Sequence, residues 1–360
     1  MDFKTQIKRE THRAIQAKVF PGCVIGITSK NGERQILPFG NFTYDKSSQL
    51  VKEDTIYDLA SITKSIPTGI LALKFIDEGR LKLTDKLINY IPEFKNSDRE
   101  NILIKHLLTY TIDGYGFAST AVKITGKSIQ DITSSDLQNL LFTQDFEQRP
   151  GKVFKYTNIP TALLGLVVEK IGGDTLANLA EENFFKPLKM NRTTFYPEKF
   201  SLKEIAPTEI DIWRGLVHGV VHDESAYIFK KEGKIFGHAG LFSTAPDILN
   251  LLEMILQKGV FHGRKYFSEK IIEQMETNQI GDLKDFTGLG WELNQPRFMG
   301  DYCNSHTFGK TGFTGTFCLC DVRKGIAYVI LTNRIFPRRP NDSTKINAFR
   351  KVIGNIILKP

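Results

Sequence analysis

Ser61 and Lys64 are the residues whose types and spacing most directly suggest chemistry. Ser61-Ile62-Thr63-Lys64 is the only Ser-x-x-Lys in the 360 residues. Side chains three apart share a helix face. The pair sits among Leu59, Ile62 and Ile66, at the head of an apolar run that predicts a buried helix. A buried ammonium is costly, so its pKa falls. A partly neutral amine beside a hydroxyl is a base beside a nucleophile. The positive end of the helix dipole would favour the developing charge. A capping Ser with a solvated Lys is the plainer alternative.

Two further segments could serve that pair. In Tyr156-Thr157-Asn158, Tyr and Asn two apart in a loop can point into one cleft. A Tyr flanked by cations can act as acid or base, and an Asn amide can bind a substrate amide or the Lys ammonium. The plainer reading makes Asn158 a helix cap and Tyr156 a packed ring. Tyr302-Cys303-Asn304 repeats the pattern, so position in the order carries the weight. In Lys310-Thr311-Gly312-Phe313, a strand edge with Gly lets a substrate backbone approach. The N–H after the Gly could donate to an oxyanion, and Lys310 offers charge to a carboxylate. Alone, this segment reads as a Gly-rich turn entering a strand.

Other chemistries lack their residues. The chain has no G-x-S-x-G and no G-x-G-x-x-G. Gly309-Lys310-Thr311 and Gly126-Lys127-Ser128 resemble P-loop ends, but Asn304 and Ala121 stand where the first Gly belongs. His218 and His222 are four apart, yet Gly219 replaces the Glu of H-E-x-x-H. A metal hydrolase on these two His is the weaker expectation; no metal and no cofactor is expected.

Local patterns indicate the elements that must hold these residues. Residues 2–20 read as a polar helix. Cys23–Thr28 and Gln35–Phe39 flank Lys30-Asn31-Gly32-Glu33, a hairpin with a type I′ Asn-Gly turn. Leu59–Leu81 reads as a buried helix, kinked or with a short first segment at Pro67 and Gly69. Ile104–Tyr110, Ser135–Phe142, Pro160–Ile171, Leu176–Phe185 and Ala245–Gln257 read as helices. Arg149-Pro150-Gly151 is a turn signal. Thr316–Leu319 and Ile326–Thr332 form a second hairpin around Arg323-Lys324-Gly325, and 344–358 a closing helix. Strands at both ends with helices between predict an α/β (α+β type) fold, an antiparallel sheet flanked by helices. The sheet domain is assigned to 1–76 plus 205–360 and a helical insertion to 77–204, with the active site between them.

The bulk numbers set bounds. At about 150 residues per domain, the length allows two domains or one with an insertion. Hydrophobic residues at 41% and charged residues at 24% exclude disordered, collagen-like and coiled-coil classes. Cys23, Cys303, Cys318 and Cys320 are too few for a disulfide framework and lack zinc spacing, so buried reduced thiols are expected. On a strand, Cys318 and Cys320 would face the same side. The N-terminus lacks a signal-peptide apolar region, and no run reaches the roughly 18 apolar residues of a membrane span. A cytoplasmic protein is expected, or a periplasmic or secreted one if a leader was removed. The formal charge of +8 hints at an anionic partner. Much of it sits in 334–360, expected to be a solvated face away from the three motifs. No nucleic-acid motif is present.

Together and in order, Ser-x-x-Lys, Tyr-x-Asn and Lys-Thr-Gly resemble the serine β-lactamase and penicillin-binding protein superfamily, most nearly its class C branch with DD-peptidase- and esterase-related members. Thr55–Ala60, Lys105–Thr109, Pro150-Gly151, Leu163–Gly165, His222–Glu224, Gly237–Thr244, Gly288–Trp291 and Thr332–Arg334 are similar to family segments. Tyr110–Gly114 departs from the usual His-Thr-Ser-Gly, and Lys310 stands where many esterase-like members carry His. The class A Ser-Asp-Asn is absent. The resemblance implies a serine hydrolase forming an acyl-enzyme on Ser61. Lys64 and Tyr156 would move the proton, and the Ser61 and Phe313 N–H groups would form the oxyanion hole. Asn158, Lys310, Thr311 and Gly312 would orient a small-molecule or peptide substrate. A β-lactam, a D-Ala peptide and a small ester all fit. A carboxylesterase or acyltransferase, or a penicillin-binding protein with little turnover, stays open.

Overall fold

Alternation within the terminal strands explains how the sheet is buried. The computed structural model describes residues 2–360 except 96, 98, 145, 284 and 285. Six strands, β1 (Gly22–Ser29), β2 (Arg34–Gly40), β3 (Glu292–Leu293), β4 (Phe308–Thr311), β5 (Phe317–Asp321) and β6 (Ile326–Thr332), form one antiparallel sheet in the order β2-β1-β6-β5-β4-β3. Successive side chains point to opposite faces. Val24, Cys318, Cys320 and Val329 therefore join one apolar cluster, and Cys23, Ile25, Phe317 and Ile330 another. Both faces are covered, which is why these strands read as nearly continuous apolar runs. Cys23, Cys318 and Cys320 are buried and all four thiols are free.

The helices divide between the two faces. They include α1 (Phe3–Gln16), α2 (Ile70–Asp77), α3 (Ile159–Gly172), α4 (Glu224–Lys231), α5 (Ala245–Leu256) and α6 (Thr344–Ile357). Ile7 and Ala14 of α1 and Ile346, Phe349 and Ile353 of α6 pack on one face. Ile248, Leu249 and Leu252 of α5 pack on the other. That second cluster continues through Leu71 and Phe75 of α2 and Leu163, Leu164 and Val167 of α3. Each such Ile, Leu, Val or Phe side chain contributes about 1.5–3 kcal/mol on leaving water. Among the described residues of 77–204, no strand of two or more residues occurs.

Two local expectations need correction. The first hairpin does not use a type I′ turn, which needs positive φ at both central residues. Only Gly32 has positive φ (80°), and its N–H donates to Ser29 O at 2.9 Å. The loop between Ser29 and Glu33 is one residue longer than a two-residue turn, so a right-handed turn followed by a left-handed Gly closes it. The run Leu59–Leu81 has the expected short first segment before Pro67 and Gly69, but that segment is not α-helical. Ala60–Lys64 is a 3-10 turn, Ile66 has extended backbone (φ −123°, ψ 111°), and α2 starts only at Ile70. Ser61 thus stands on a short turn, not at the head of a long dipole, and that part of the expected activation does not apply.

Candidate active site

The turn carrying Ser61 is held by contacts distant in sequence. Ala60, just before it, has a positive φ of 48°. For a non-Gly residue this is strained and needs support. The Ala60 N–H donates to Asp58 Oδ1 at 2.8 Å, and Asp58 Oδ2 accepts the His222 N–H at 2.7 Å. The Leu59 N–H donates to Leu241 O at 2.9 Å. On the other side, the Thr314 hydroxyl donates to Asp58 O at 2.8 Å and the Thr316 hydroxyl to Leu59 O at 3.0 Å. These bonds fix Ser61 against the entry to β5.

Lys64 is fully buried, and its Nζ donates to Ser61 Oγ and to the His238 carbonyl, both at 2.9 Å. Burial lowers its pKa; Tyr156 opposes this and Lys310 reinforces it. No carboxylate pairs with it directly among the described residues. The predicted base-beside-hydroxyl geometry is therefore present, although on a 3-10 turn. Spacing of three suits either helix type, because side chains three apart eclipse in a 3-10 turn.

Tyr156 stands between two cations. Its ring centroid is 4.1 Å from Lys310 Nζ and 5.6 Å from Lys64 Nζ. The ring is 41% exposed and lines the cleft. Burial of its hydroxyl opposes ionisation, but Lys310 and then Lys64, with a hydrogen bond from Ser61, more than offset it, so the pKa is lowered. Asn158 sits at the cap position of α3, yet its side chain makes no cap bond. Its Nδ2 instead donates to Asp223 Oδ2 at 3.4 Å, and it lines the cleft with Ser61. Its expected bond to the Lys64 ammonium is absent, because that ammonium is directed to Ser61 and His238.

The third segment supplies the opposite wall. Lys310 on β4 is fully buried and has no hydrogen-bond partner among the described residues; Glu292 Oε2 lies 4.0 Å away and the Tyr110 ring 4.7 Å. Burial works against its charge, but Glu292 and the two phenols outweigh burial and raise its pKa. It remains a cation facing the cleft wall. The Gly312 N–H donates to Thr316 O at 2.7 Å, which turns the chain so that Phe313 projects, 43% exposed. The N–H groups of Ser61 and Phe313 meet no protein acceptor among the described residues. Thr311 and Gly312 line the same half of the cleft.

The cleft has two halves meeting at Ser61 and Phe313. One, about 310 Å³, is lined by Tyr156, Glu292, Arg297, Thr311, Asn347 and Arg350. The other, about 260 Å³, is lined by Asn158, His222, Asp223, Glu224, Ala239 and Arg339. The basic 334–360 stretch is thus not a solvated face remote from the motifs. Buried Arg350 donates to Gly312 O at 3.1 Å and Thr316 O at 2.8 Å, and Arg334 donates to Phe313 O at 3.0 Å. Helix α6 packs across β5 and β6, and this long-range packing brings its Arg350 to the Gly312–Thr316 loop.

Sequence reasoning missed Tyr110, Glu292, Arg297 and Arg350. Tyr110 opens the segment that departs from the family pattern, and Glu292 follows Gly288–Trp291; those flanks were the available signal. The His residues left without a role now have partners. His218 Nε2 lies 2.7 Å from Ile205 O, and His222 Nε2 lies 2.7 Å from Glu209 Oε2. The two rings serve different neighbours and do not form a shared ligand pair. No cluster of three or more potential metal-ligating side chains occurs among the described residues. His238 is fully buried with Nε2 3.2 Å from Asp223 Oδ1, and burial lowers its pKa against the opposing pull of Asp223. No helix among the described residues is long and apolar enough to cross a membrane.

A hydroxyl at hydrogen-bond distance from a buried lysine, under a wall bearing a second lysine and free N–H donors, is the arrangement of a serine hydrolase. The Beta-lactamase family model matches residues 9–351, and the chain belongs to that family, within the serine β-lactamase and penicillin-binding protein superfamily. A protein of Salmonella agona (strain SL483), provisionally named D-alanyl-D-alanine carboxypeptidase, is 31% identical over 327 residues, covering 83% of this chain and 73% of the relative. EstCE1, described as a hydrolase with promiscuous acyltransferase activity, has a TM-score of 0.78 at 18% identity, covering 99% of this chain and 98% of its own. The octameric penicillin-binding protein homologue from Pyrococcus abyssi has a TM-score of 0.71 at 23% identity, over 92% and 74%. These two structures share the fold.

Proposed function

We propose that the protein is a class C-like serine hydrolase that forms its acyl-enzyme on Ser61. The observation that carries this reading is the 2.9 Å contact between Lys64 Nζ and Ser61 Oγ, with the ammonium's pKa lowered by burial. Lys64 and Tyr156 take the Ser61 proton as Oγ attacks the carbonyl carbon, and return it to the leaving group as the acyl bond breaks. The Ser61 and Phe313 N–H groups hold the oxyanion, worth about 3–4 kcal/mol per donor. Water then attacks the acyl-enzyme with Tyr156 as base. Asn158, Lys310, Thr311 and Gly312 orient the substrate. The cleft lies between the sheet unit (1–76 and 205–360) and the helical unit (77–204).

The substrate reading favours an amide whose leaving side carries a carboxylate, such as a D-Ala peptide. Lys310 flanks the half-cleft that Arg297 and Arg350 line, and cations grouped around one space select an anion. The name of the Salmonella agona relative points the same way. A D-Ala-D-Ala peptide, a chromogenic cephalosporin and p-nitrophenyl esters, assayed with wild type and Ser61→Ala, test the proposal. Turnover of the peptide lost in Ser61→Ala supports it. Turnover of neutral esters alone would replace the peptidase reading with an esterase or acyltransferase. Activity retained by Ser61→Ala would sink the mechanism.

A further inference from the structure

A cavity of about 410 Å³ lies outside the candidate cleft and shares no lining residue with either of its halves. Lys18, Arg334, Arg338 and Lys345 line it, against a single carboxylate, Asp342. That carboxylate is already engaged, because its Oδ1 accepts the Thr344 N–H at 2.8 Å at the start of α6. Among the described residues, Lys18 and Arg338 have no carboxylate partner, and Lys345 feels only the field of Asp342. Arg334 is buried and spends its donors on the protein, reaching Phe313 O, Asp342 O and Ser343 Oγ. It therefore forms a fixed floor, with three cations at the rim that no ion pair holds. Four like charges around one space repel, and an anion relieves that repulsion. The first turn of α6 borders the same space and adds N–H groups with no intrahelical acceptor. Tyr44, Phe336 and Pro337 complete the wall with apolar and aromatic surface.

We infer that this cavity binds a small soluble anion of the phosphate-ester or diphosphate class, with an apolar or planar body against Tyr44 and Phe336. The occupant sits one residue's thickness from the catalytic loop, since Arg334 joins the cavity floor to the Phe313 carbonyl. The site does not depend on the proposed hydrolase mechanism.

Isothermal titration of the whole protein with inorganic pyrophosphate at low salt tests the inference, beside the double variant Arg338→Ser/Lys345→Ser. Both replaced side chains are exposed and outside the catalytic machinery, so ester or peptide turnover without the anion should be unchanged. Saturable binding that weakens about tenfold or more in the double variant, as loss of two charge-assisted contacts requires, supports the site. Weakening with added NaCl supports it as well. No saturable heat, or equal binding by the double variant, overturns it. Binding abolished by Arg297→Ser but not by the double variant would put the anion in the catalytic cleft and also overturn it. Tighter binding of a soluble nucleoside diphosphate than of pyrophosphate supports the apolar wall. Binding confined to phosphatidylglycerol vesicles would make the source a lipid headgroup and overturn the soluble-anion assignment.

Discussion

The Thr316 hydroxyl donates to the Leu59 carbonyl at 3.0 Å, joining residues 257 apart in sequence. Through this bond the strand that follows the Lys-Thr-Gly segment sets the height of the turn that carries Ser61. Thr316→Val keeps the shape and removes the donor, leaving the Leu59 carbonyl with the Ile62 N–H as its remaining partner. Loss of the one hydrogen bond costs about 0.5–1.5 kcal/mol of stability. A fall in kcat/KM well beyond the loss expected from stability, measured on folded protein, would show that the bond sets catalytic geometry. Unchanged kinetics would show that it does not.

Ser61→Ala should abolish fluorophosphonate labelling and lower turnover by at least about a thousandfold, while the melting temperature stays near that of wild type. Labelling that persists on another residue would remove Ser61 from the mechanism.

The pH profile follows from two lowered pKa values. In the proposed mechanism, Lys64 and Tyr156 must give up a proton before they can accept one from Ser61, and both titrate below their ordinary values of about 10. Activity should therefore rise with pH along a limb centred below about 10 and fade as pH drops through it. Lys310 is shifted upward, so its charge outlasts that limb. Tyr156→Phe should slow turnover about a hundredfold and move the limb. A profile that is flat from about pH 6 to about pH 10 would contradict this assignment.

Lys310→Ala separates binding from chemistry. With a substrate carrying a carboxylate, KM should rise about tenfold or more, as expected when a charge-assisted contact is lost. With a neutral p-nitrophenyl ester it should change little. Equal effects on both substrates would mean that Lys310 acts mainly through Tyr156.

Glu209 is paired with Arg339 and His222, at 2.7 Å from each. Burial opposes its charge, but His222 and Arg339 outweigh burial and lower its pKa well below the carboxylate range. A carboxylate with a lowered folded pKa contributes stability that is present above its unfolded value, about 4.3, and is lost as pH falls toward the folded value. Glu209→Gln should lower stability at pH 7 by about 1–3 kcal/mol, moderated because Arg339 is partly exposed, and should flatten the acid limb. Chemical denaturation at pH 7 and pH 3 checks both; an acid limb as steep as that of wild type would assign it to other carboxylates.

Ser61 and Lys64 come together through spacing of three on a tight turn, and that local relationship is readable from four consecutive letters. The same holds for the two terminal hairpins and for α3 and α5, where apolar period and turn residues act over a few positions. Lys310 shows the limit. Its charge depends on Glu292, Tyr110 and Tyr156, which lie on other segments, and no local pattern reports that they meet. The same is true of Arg350 and Arg334, whose stretch has the composition of a solvated face until α6 packs on the sheet.

By itself the sequence determined the order of the three motifs, the family, and the elements whose periodicity is local. The tertiary structure alone decided which charges face Ser61, that its turn is a strained 3-10 segment, and that Arg334 and Arg350 hold the Gly312–Thr316 loop. The physical reason is range. Side-chain period and turn chemistry are set by neighbours a few residues apart, whereas burial and electrostatic pairing are set by strands and helices that meet only after the chain has closed on itself.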